Sequence, residues 1–405
     1  MSDYEELLAF SQTIDAMEGT KSYLMANYGE PRDAFVRGEG SWLYRSDESA
    51  VLDFLGGIAV CSLGHCPRSV SDAIATQAHK LIHTSNFFAN ENGPKVAYLI
   101  DRLITGDDAQ GGRVIFSNSG AEANEAALKL ARRYGGPQRT DIVALNGSFH
   151  GRTYGALSAT GQVSKQIPFM PLVPGFSHIE PGDVEQLREA LSRPTVAALI
   201  IETIQGEAGV IPLHRDYLAL CRELTIQYGV LLIIDEVQSG FGRCGNWFDH
   251  HRGGISPDMV TMAKAMASGV AVGALWARNG IWESFAPGDH GTTFGGSPLA
   301  MAGALATITT MIEEDVVRRA IEMGSYLKKG LSRIEGISLV RGEGLLIGFG
   351  LRDQNASKMA KRCLELGLIV NPIGDSIIRL APSLLVTAQE IDIALGIIAS
   401  AIDFL

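Results

Sequence analysis

Apolar positions along this chain follow two alternating patterns. Short, nearly continuous apolar runs occur at 113–117, 141–145, 196–201 and 230–234, and longer stretches such as Asp216 to Tyr228 carry apolar residues at helical spacing. Apolar strands between amphipathic helices predict an α/β fold built on a mostly parallel sheet covered on both faces. The pattern changes toward both ends. Near the start, an amphipathic segment precedes a predicted hairpin whose strands, Asp33 to Arg37 and Trp42 to Tyr44, flank a turn at Gly38-Glu39-Gly40. After Pro298 a long helical pattern, Leu299 to Met311, leads into further helix, and short strands follow near 337–340, 345–349 and 376–380. A closing helix is expected from Ala388 to Leu405. A chain of 405 residues exceeds what one core usually supports. The expected organisation is an N-terminal segment over 1–60 packing with a small domain, a large domain over 61–297, and a small α+β domain over 298–405.

Two of the apolar segments deliver ionisable groups. The run Leu231 to Ile234 ends in Asp235, and Val260-Thr261-Met262-Ala263 leads directly to Lys264. Strand-end acids are common and many lysines bury only their stems, so the pair by itself also suits a purely structural role. It equally matches pyridoxal phosphate chemistry, which needs an amine to hold the cofactor and an acid to keep its pyridine nitrogen protonated.

Further segments offer compatible groups. Asn118-Ser119-Gly120-Ala121-Glu122-Ala123-Asn124 joins a strand to a helix start, where exposed amides attract an anion, although an ordinary Ser N-cap reads the same way. In Ser148-Phe149-His150-Gly151-Arg152, Phe149 can stack on a planar ring and Arg152 can fork onto a carboxylate. Glu202 and Glu207 end or follow a strand, where parallel sheets place their sites. Asp235 and Glu236 are neighbours on extended chain and point to opposite faces, so they form no acid–base dyad; Asp235 is assigned inward and Glu236 to the loop network. The string Gly240 to Gly245 matches GxGxxG but neither follows a strand directly nor opens a helix, which argues against a dinucleotide site. His250-His251 lacks metal-ligand spacing, and no metal is expected. The glycine-rich loop His290 to Pro298 suits a connector as well as a phosphate contact.

Composition narrows the classes. Apolar residues make up 46% and charged residues 20%, and no apolar run reaches the roughly 18 residues a membrane span needs. A net charge of −11 with no basic stripe disfavours nucleic acid and anionic lipid as partners. Five scattered cysteines without Cys-x-x-Cys suggest a reducing compartment, and the acidic start lacks a secretion signal, so a cytoplasmic location is expected.

In order along the chain, the segments 23–25, 35–40, 57–60, 81–86, 118–124, 149–153, 205–210 and 235–243, Lys264, and the segments 292–298 and 379–382 resemble those of the class III aminotransferases, and most closely their acetylornithine aminotransferase branch. The resemblance runs nearly end to end. It implies a fold-type I pyridoxal phosphate enzyme in which Lys264 holds the cofactor and shuttles the proton, and Asp235 partners the pyridine nitrogen. Val237 and Phe149 then sandwich the ring, Gln238 lies near its phenolic oxygen, and Ser119, Gly120 and Ala121 hold the phosphate. Thr293 resembles a phosphate ligand given by a neighbouring subunit, which implies a homodimer with the active site at the subunit interface. Arg379 resembles the arginine for an α-carboxylate, Arg152 the one for a substrate's other carboxylate, and Glu207 the acid that masks Arg379 while a terminal amine reacts.

The resemblance thus implies transfer of a terminal amino group, from N-acetylornithine in the first reading, to 2-oxoglutarate, giving a semialdehyde and glutamate. Ornithine, succinylornithine and other ω-amines are alternative donors. A non-catalytic pyridoxal phosphate binder is disfavoured by the complete set of acid, amine and arginines, and a mutase or decarboxylase by the Arg379–Glu207 pair. The chain departs from the family pattern at Thr203, at Pro67-Arg68, and at Met266 to Ala271 after the lysine.

Overall fold

A computed structural model describes residues 3–106, 111–352 and 355–404. Its centre is a seven-stranded sheet in the order Gly112–Ser117, Gly273–Arg278, Met259–Met262, Leu231–Asp235, Val196–Glu202, Asp141–Leu145, Phe176–Ile179. All pairings are parallel except those of Gly273–Arg278, which runs antiparallel to both neighbours.

The continuous apolar runs have a direct explanation in this sheet. Alternate residues of each central strand enter two different cores. Val143, Leu145, Leu199, Ile201, Leu232 and Ile234 pack under helices Val184–Ser192 and Arg215–Tyr228. Ile142, Ala144, Ala198, Ile200, Leu231 and Ile233 pack under helix Gly120–Gly135. A strand buried on both faces has no polar side to show, so the period-2 signal vanishes. The same alternation places Glu202, Asp235 and Thr261 on the side of helix Gly120–Gly135, each two residues along from Ile200, Ile233 and Met259.

A four-stranded antiparallel sheet follows later in the chain, in the order Ile337–Glu343, Leu346–Leu351, Ile377–Leu380, Asn371–Ile373. Helices Pro298–Glu313, Val316–Leu331, Ala356–Glu365 and Ala388–Ile402 accompany it. The closing helix thus stops short of the expected end, and Leu405 lies outside the described residues. One core runs between the two sheets, from Val260, Met262 and Trp276 through Met301 and Ile308 to Phe349 and Ile391.

The N-terminal hairpin differs from expectation. Its strands are Arg37–Glu39 and Trp42–Tyr44, so the turn falls at Gly40-Ser41, two residues later than the predicted one. Gly40 has φ 56°, which favours glycine at that corner. The Asp33 carboxylate instead accepts from Ala34 N and Arg45 Nε, 2.8 Å each, and keeps that stretch out of the ladder. A third strand, Ala50–Asp53, is joined in parallel by Leu368–Ile369. Among the described residues no helix is long and apolar enough to cross a membrane.

Candidate active site

The carboxyl edge of the large sheet gathers the chemistry. A cavity of about 410 Å³ opens there, lined among others by Ser119, Gly120, Phe149, Arg152, Asp235, Val237, Gln238 and Lys264. Parallel strands place loops and helix starts at this edge, which is why residues far apart in sequence meet.

Asp235 ends its strand buried, at 4% exposure, and is held from three directions. Its Oδ2 accepts from Asn124 Nδ2 and faces His150 Nδ1, both at 2.8 Å, while Oδ1 accepts from Val237 N at 3.0 Å. Asn124 is in turn oriented by Thr261, whose hydroxyl donates to Asn124 Oδ1 at 2.7 Å. A carboxylate with these bonds is rigid and keeps a direction for one more partner. Glu202 lies on the adjacent strand, with its Cα paired to that of Asp235. Its Oε2 accepts from Phe149 N at 2.9 Å. Burial, and after it the charge of Asp235, pushes the Glu202 carboxyl well above the usual range. Glu236 points away, into a bonded cluster with His250 N at 2.8 Å and the Ser239 hydroxyl at 2.5 Å.

Lys264 follows strand Met259–Met262 and adopts φ 41°, a left-handed conformation that costs a non-glycine residue energy and is often retained at functional sites. Burial lowers its ammonium to about 8, and Arg379 adds to the effect, against the pull of Glu207, Asp235 and Glu202. A lysine with this value has a substantial neutral, nucleophilic fraction near pH 8.

Ser119 caps helix Gly120–Gly135, its hydroxyl accepting from Glu122 N at 3.2 Å. Gly120 is required by space: a Cβ there would stand 2.8 Å from both methyls of Val237. The backbone of the turn therefore approaches the floor of the cavity as closely as it can, with helix-start amides available to an anion. Val237 lines one side and Phe149 another. These features fit pyridoxal 5'-phosphate: a low-set amine, an oriented buried carboxylate, two apolar covers and a helix start for the phosphate.

A second cavity, of about 630 Å³, is lined by Ile58, Gln162, Lys165, Glu207, Asn371 and Arg379 among others. Gln238 connects the two. Arg379, 2% exposed, donates through Nη1 to Glu207 Oε1 at 2.7 Å and to Gln238 Oε1 at 3.0 Å, and through Nη2 to Asn371 Oδ1 at 2.8 Å. Burial pushes the Glu207 carboxyl up, but the charge and hydrogen bond of Arg379 outweigh it, leaving it below its ordinary value and ionised. Arg152 is exposed and stands with its guanidinium 5.6 Å over the Phe149 ring. Thr293 is the one expected site residue that lies elsewhere: it is exposed and lines neither cavity. Asn124, His150 and Asn371 belong to the site although sequence reasoning had not singled them out. Asn124 did carry a signal, since it is a polar residue at a core-facing position among Ala123, Ala126 and Ala127.

An amine and an oriented acid in a cofactor-sized cavity, with two arginines at and beside it, fit an amino-group transferase. The chain belongs to the class-III aminotransferases, whose family model matches residues 25–402. It is therefore a pyridoxal phosphate-dependent transaminase. It is 43% identical over 384 residues to the acetylornithine aminotransferase of Archaeoglobus fulgidus, covering 95% of this chain and 99% of that one. It is 41% identical to the acetylornithine aminotransferase of Mycobacterium tuberculosis, with 95% of each chain covered. Among solved structures, the ornithine aminotransferase of Toxoplasma gondii superposes with a TM-score of 0.91 at 30% identity, covering 100% of this chain and 99% of that one.

Proposed function

We propose that this chain moves the terminal amino group of N-acetylornithine, or of a closely similar ω-amine, to 2-oxoglutarate, giving the semialdehyde and glutamate. The observation that carries this reading is the Arg379–Glu207 pair at 2.7 Å beside the amine-bearing cavity. A terminal-amine donor presents no carboxylate near its reacting nitrogen, so a bare guanidinium there would stay unpaired. 2-Oxoglutarate does present one. An ionised acid that swings off the arginine lets one pocket accept both in turn. Arg152 is a second guanidinium at the site and would take the donor's α-carboxylate and then the far carboxylate of the acceptor. The similarity to acetylornithine aminotransferases supports the same donor.

Bound pyridoxal phosphate supplies the electron sink that lets a C–H bond beside the amino group break. Lys264 Nζ, uncharged in a large fraction near pH 8, takes and returns that proton. The Asp235 carboxylate, oriented by Asn124 and His150, would keep the cofactor's pyridine nitrogen protonated. Ser119, Gly120 and Ala121 would hold the phosphate, Val237 and Phe149 would cover the ring, and Gln238 would serve its phenolic oxygen.

The reading includes a homodimer in the cytoplasm. Thr293 lines neither of the two cavities of the site in its own chain, and large apolar side chains nearby are bare, Phe294 at 63%, Phe87 at 94% and Phe88 at 70% exposure. An apolar surface of this kind suits a second copy, to whose phosphate site Thr293 then belongs. A donor screen with purified holoenzyme and 2-oxoglutarate, measuring glutamate, tests the proposal. N-acetylornithine is expected to give the highest kcat/KM; glutamate from no ω-amine overturns it, and ornithine as the best donor moves the assignment.

A further inference from the structure

A stretch of chain bordering both cavities of the site is wound in the unusual hand. Gly56, Gly57, Ile58 and Ala59 have φ of 59°, 61°, 67° and 60°, and Ala59 N and Val60 N donate to Leu55 O and Gly56 O at 2.9 and 2.7 Å. This is one turn of left-handed helix, which residues other than glycine rarely enter in succession. Ile58 lines the outer cavity and Val60 the inner one. Strain of this kind persists only where the surroundings hold it. Here Asp53 Oδ1 accepts from Leu55 N and Gly56 N at 2.8 and 2.9 Å, and its Oδ2 faces His65 Nε2 at 2.9 Å, so one carboxylate ties the stretch at both ends.

The turn delivers Ser62, fully buried and bonded in two directions. Its carbonyl accepts from Leu384 N at 2.8 Å and from the Ser383 hydroxyl at 3.4 Å, on the arm that follows Arg379. Its hydroxyl donates at 2.8 Å to Ala265 O, the carbonyl directly after Lys264. The next residue adds a second grip, Leu63 N donating to Ser268 Oγ at 3.1 Å. Lys264 opens the short turn Lys264–Ala267 and Ser268 closes it, and both are themselves left-handed, with φ of 41° and 44°. Two consecutive residues from a distant part of the chain therefore grip the lysine turn near each strained end.

A lysine free to relax toward right-handed backbone has to be driven back each time its amine meets the cofactor. That cost falls on binding unless the conformation is held beforehand. We propose that Ser62 is a positioning residue whose hydroxyl holds Lys264 in its left-handed conformation, so that the amine is aimed at the cofactor's aldehyde carbon before the cofactor arrives. This rests on the assignment of Lys264 as the cofactor's amine. In the capture step Nζ forms a double bond to that carbon, and the two amine hydrogens leave with the aldehyde oxygen as water. Ser62 lines neither cavity and acts only through the backbone it grips.

The experiment titrates cofactor-free wild type, Ser62→Ala and Ser62→Cys with pyridoxal phosphate and, separately, with pyridoxamine phosphate. The second ligand keeps the phosphate and the ring but carries an amine in place of the aldehyde, so it forms no bond to the lysine. In Ser62→Ala the dissociation constant for pyridoxal phosphate is expected to rise about tenfold, the scale of one buried hydrogen bond, while that for pyridoxamine phosphate stays within about twofold. Ser62→Cys, similar in size and a weaker donor, should show a smaller rise confined to the same ligand, and it carries the comparison if the alanine variant does not fold. Equal rises for both ligands assign Ser62 to general support of the site and overturn the inference, as does an unchanged constant for pyridoxal phosphate. Wild-type protein that binds pyridoxal phosphate without a link reducible by borohydride overturns the reading of Lys264 beneath it.

Discussion

Replacing Glu207 by Gln removes the masking charge while keeping the shape. In the wild type, Arg379 has three acceptors: Glu207 at 2.7 Å, Gln238 at 3.0 Å and Asn371 at 2.8 Å. The latter two survive the change, so Arg379 stays in place and the fold loses little. What is lost is one hydrogen bond between charged groups in a largely buried setting, worth about 1.5–3 kcal/mol. That energy now favours any substrate bringing its own carboxylate to Arg379 and penalises one that leaves it bare. Converted, it is about a 10- to 150-fold change in relative specificity. The assay is rapid mixing of the Glu207→Gln holoenzyme with glutamate or with N-acetylornithine alone, following the cofactor absorbance to obtain kcat/KM for each half-reaction. The glutamate-to-acetylornithine ratio should rise within that range. A ratio within about twofold of wild type, or both values falling together, refutes the switch.

Asp235→Asn keeps the Asn124 and Val237 bonds approximately but removes a buried charge opposite a cationic partner; kcat should fall at least 100-fold, about 3 kcal/mol, with unchanged far-ultraviolet circular dichroism, and near-normal turnover contradicts its role. Gly120→Ala places a methyl 2.8 Å from Val237, so the dissociation constant for pyridoxal phosphate, measured by titrating cofactor-free protein, should rise about tenfold, and an unaltered constant contradicts the close-approach reading. The Asp53 carboxylate, 2.9 Å from His65 Nε2, raises that imidazole from 6.5 to about 10 with help from Cys61. Because the folded-state value is raised, this stabilisation is complete below pH 6.5 and fades as pH climbs through 10. Urea titrations of Asp53→Asn should show a deficit of about 1–3 kcal/mol at pH 6 that narrows by pH 10; a deficit independent of pH assigns the loss to the backbone bonds of Asp53 instead.

Much of this architecture is legible in the chain because burial on both faces writes itself as uninterrupted apolar runs. Asp235 and Lys264 stand out because each ends such a run, and the strand geometry then sets Asp235 beneath helix Gly120–Gly135. Strand direction leaves no comparable trace: Gly273–Arg278 is buried like the other strands of the sheet, yet it runs antiparallel to both neighbours. The hairpin register was missed because Gly38 and Gly40 both suit a turn, and the choice depends on the Asp33–Arg45 contact at 2.8 Å across the loop. The imidazole of His150 is visible in its segment but its role is not, since its approach to Asp235 joins two stretches that only the sheet brings together. Thr293 marks the other limit, because its surroundings within one chain leave it at the surface.

Lys264 is the residue on which the whole account turns. Holoenzyme treated with borohydride, digested and mapped by mass spectrometry should carry the reduced pyridoxyl phosphate mass on the peptide containing Lys264, and Lys264→Ala should carry none. Label on another lysine, or no label on a protein shown to bind the cofactor, contradicts the assignment.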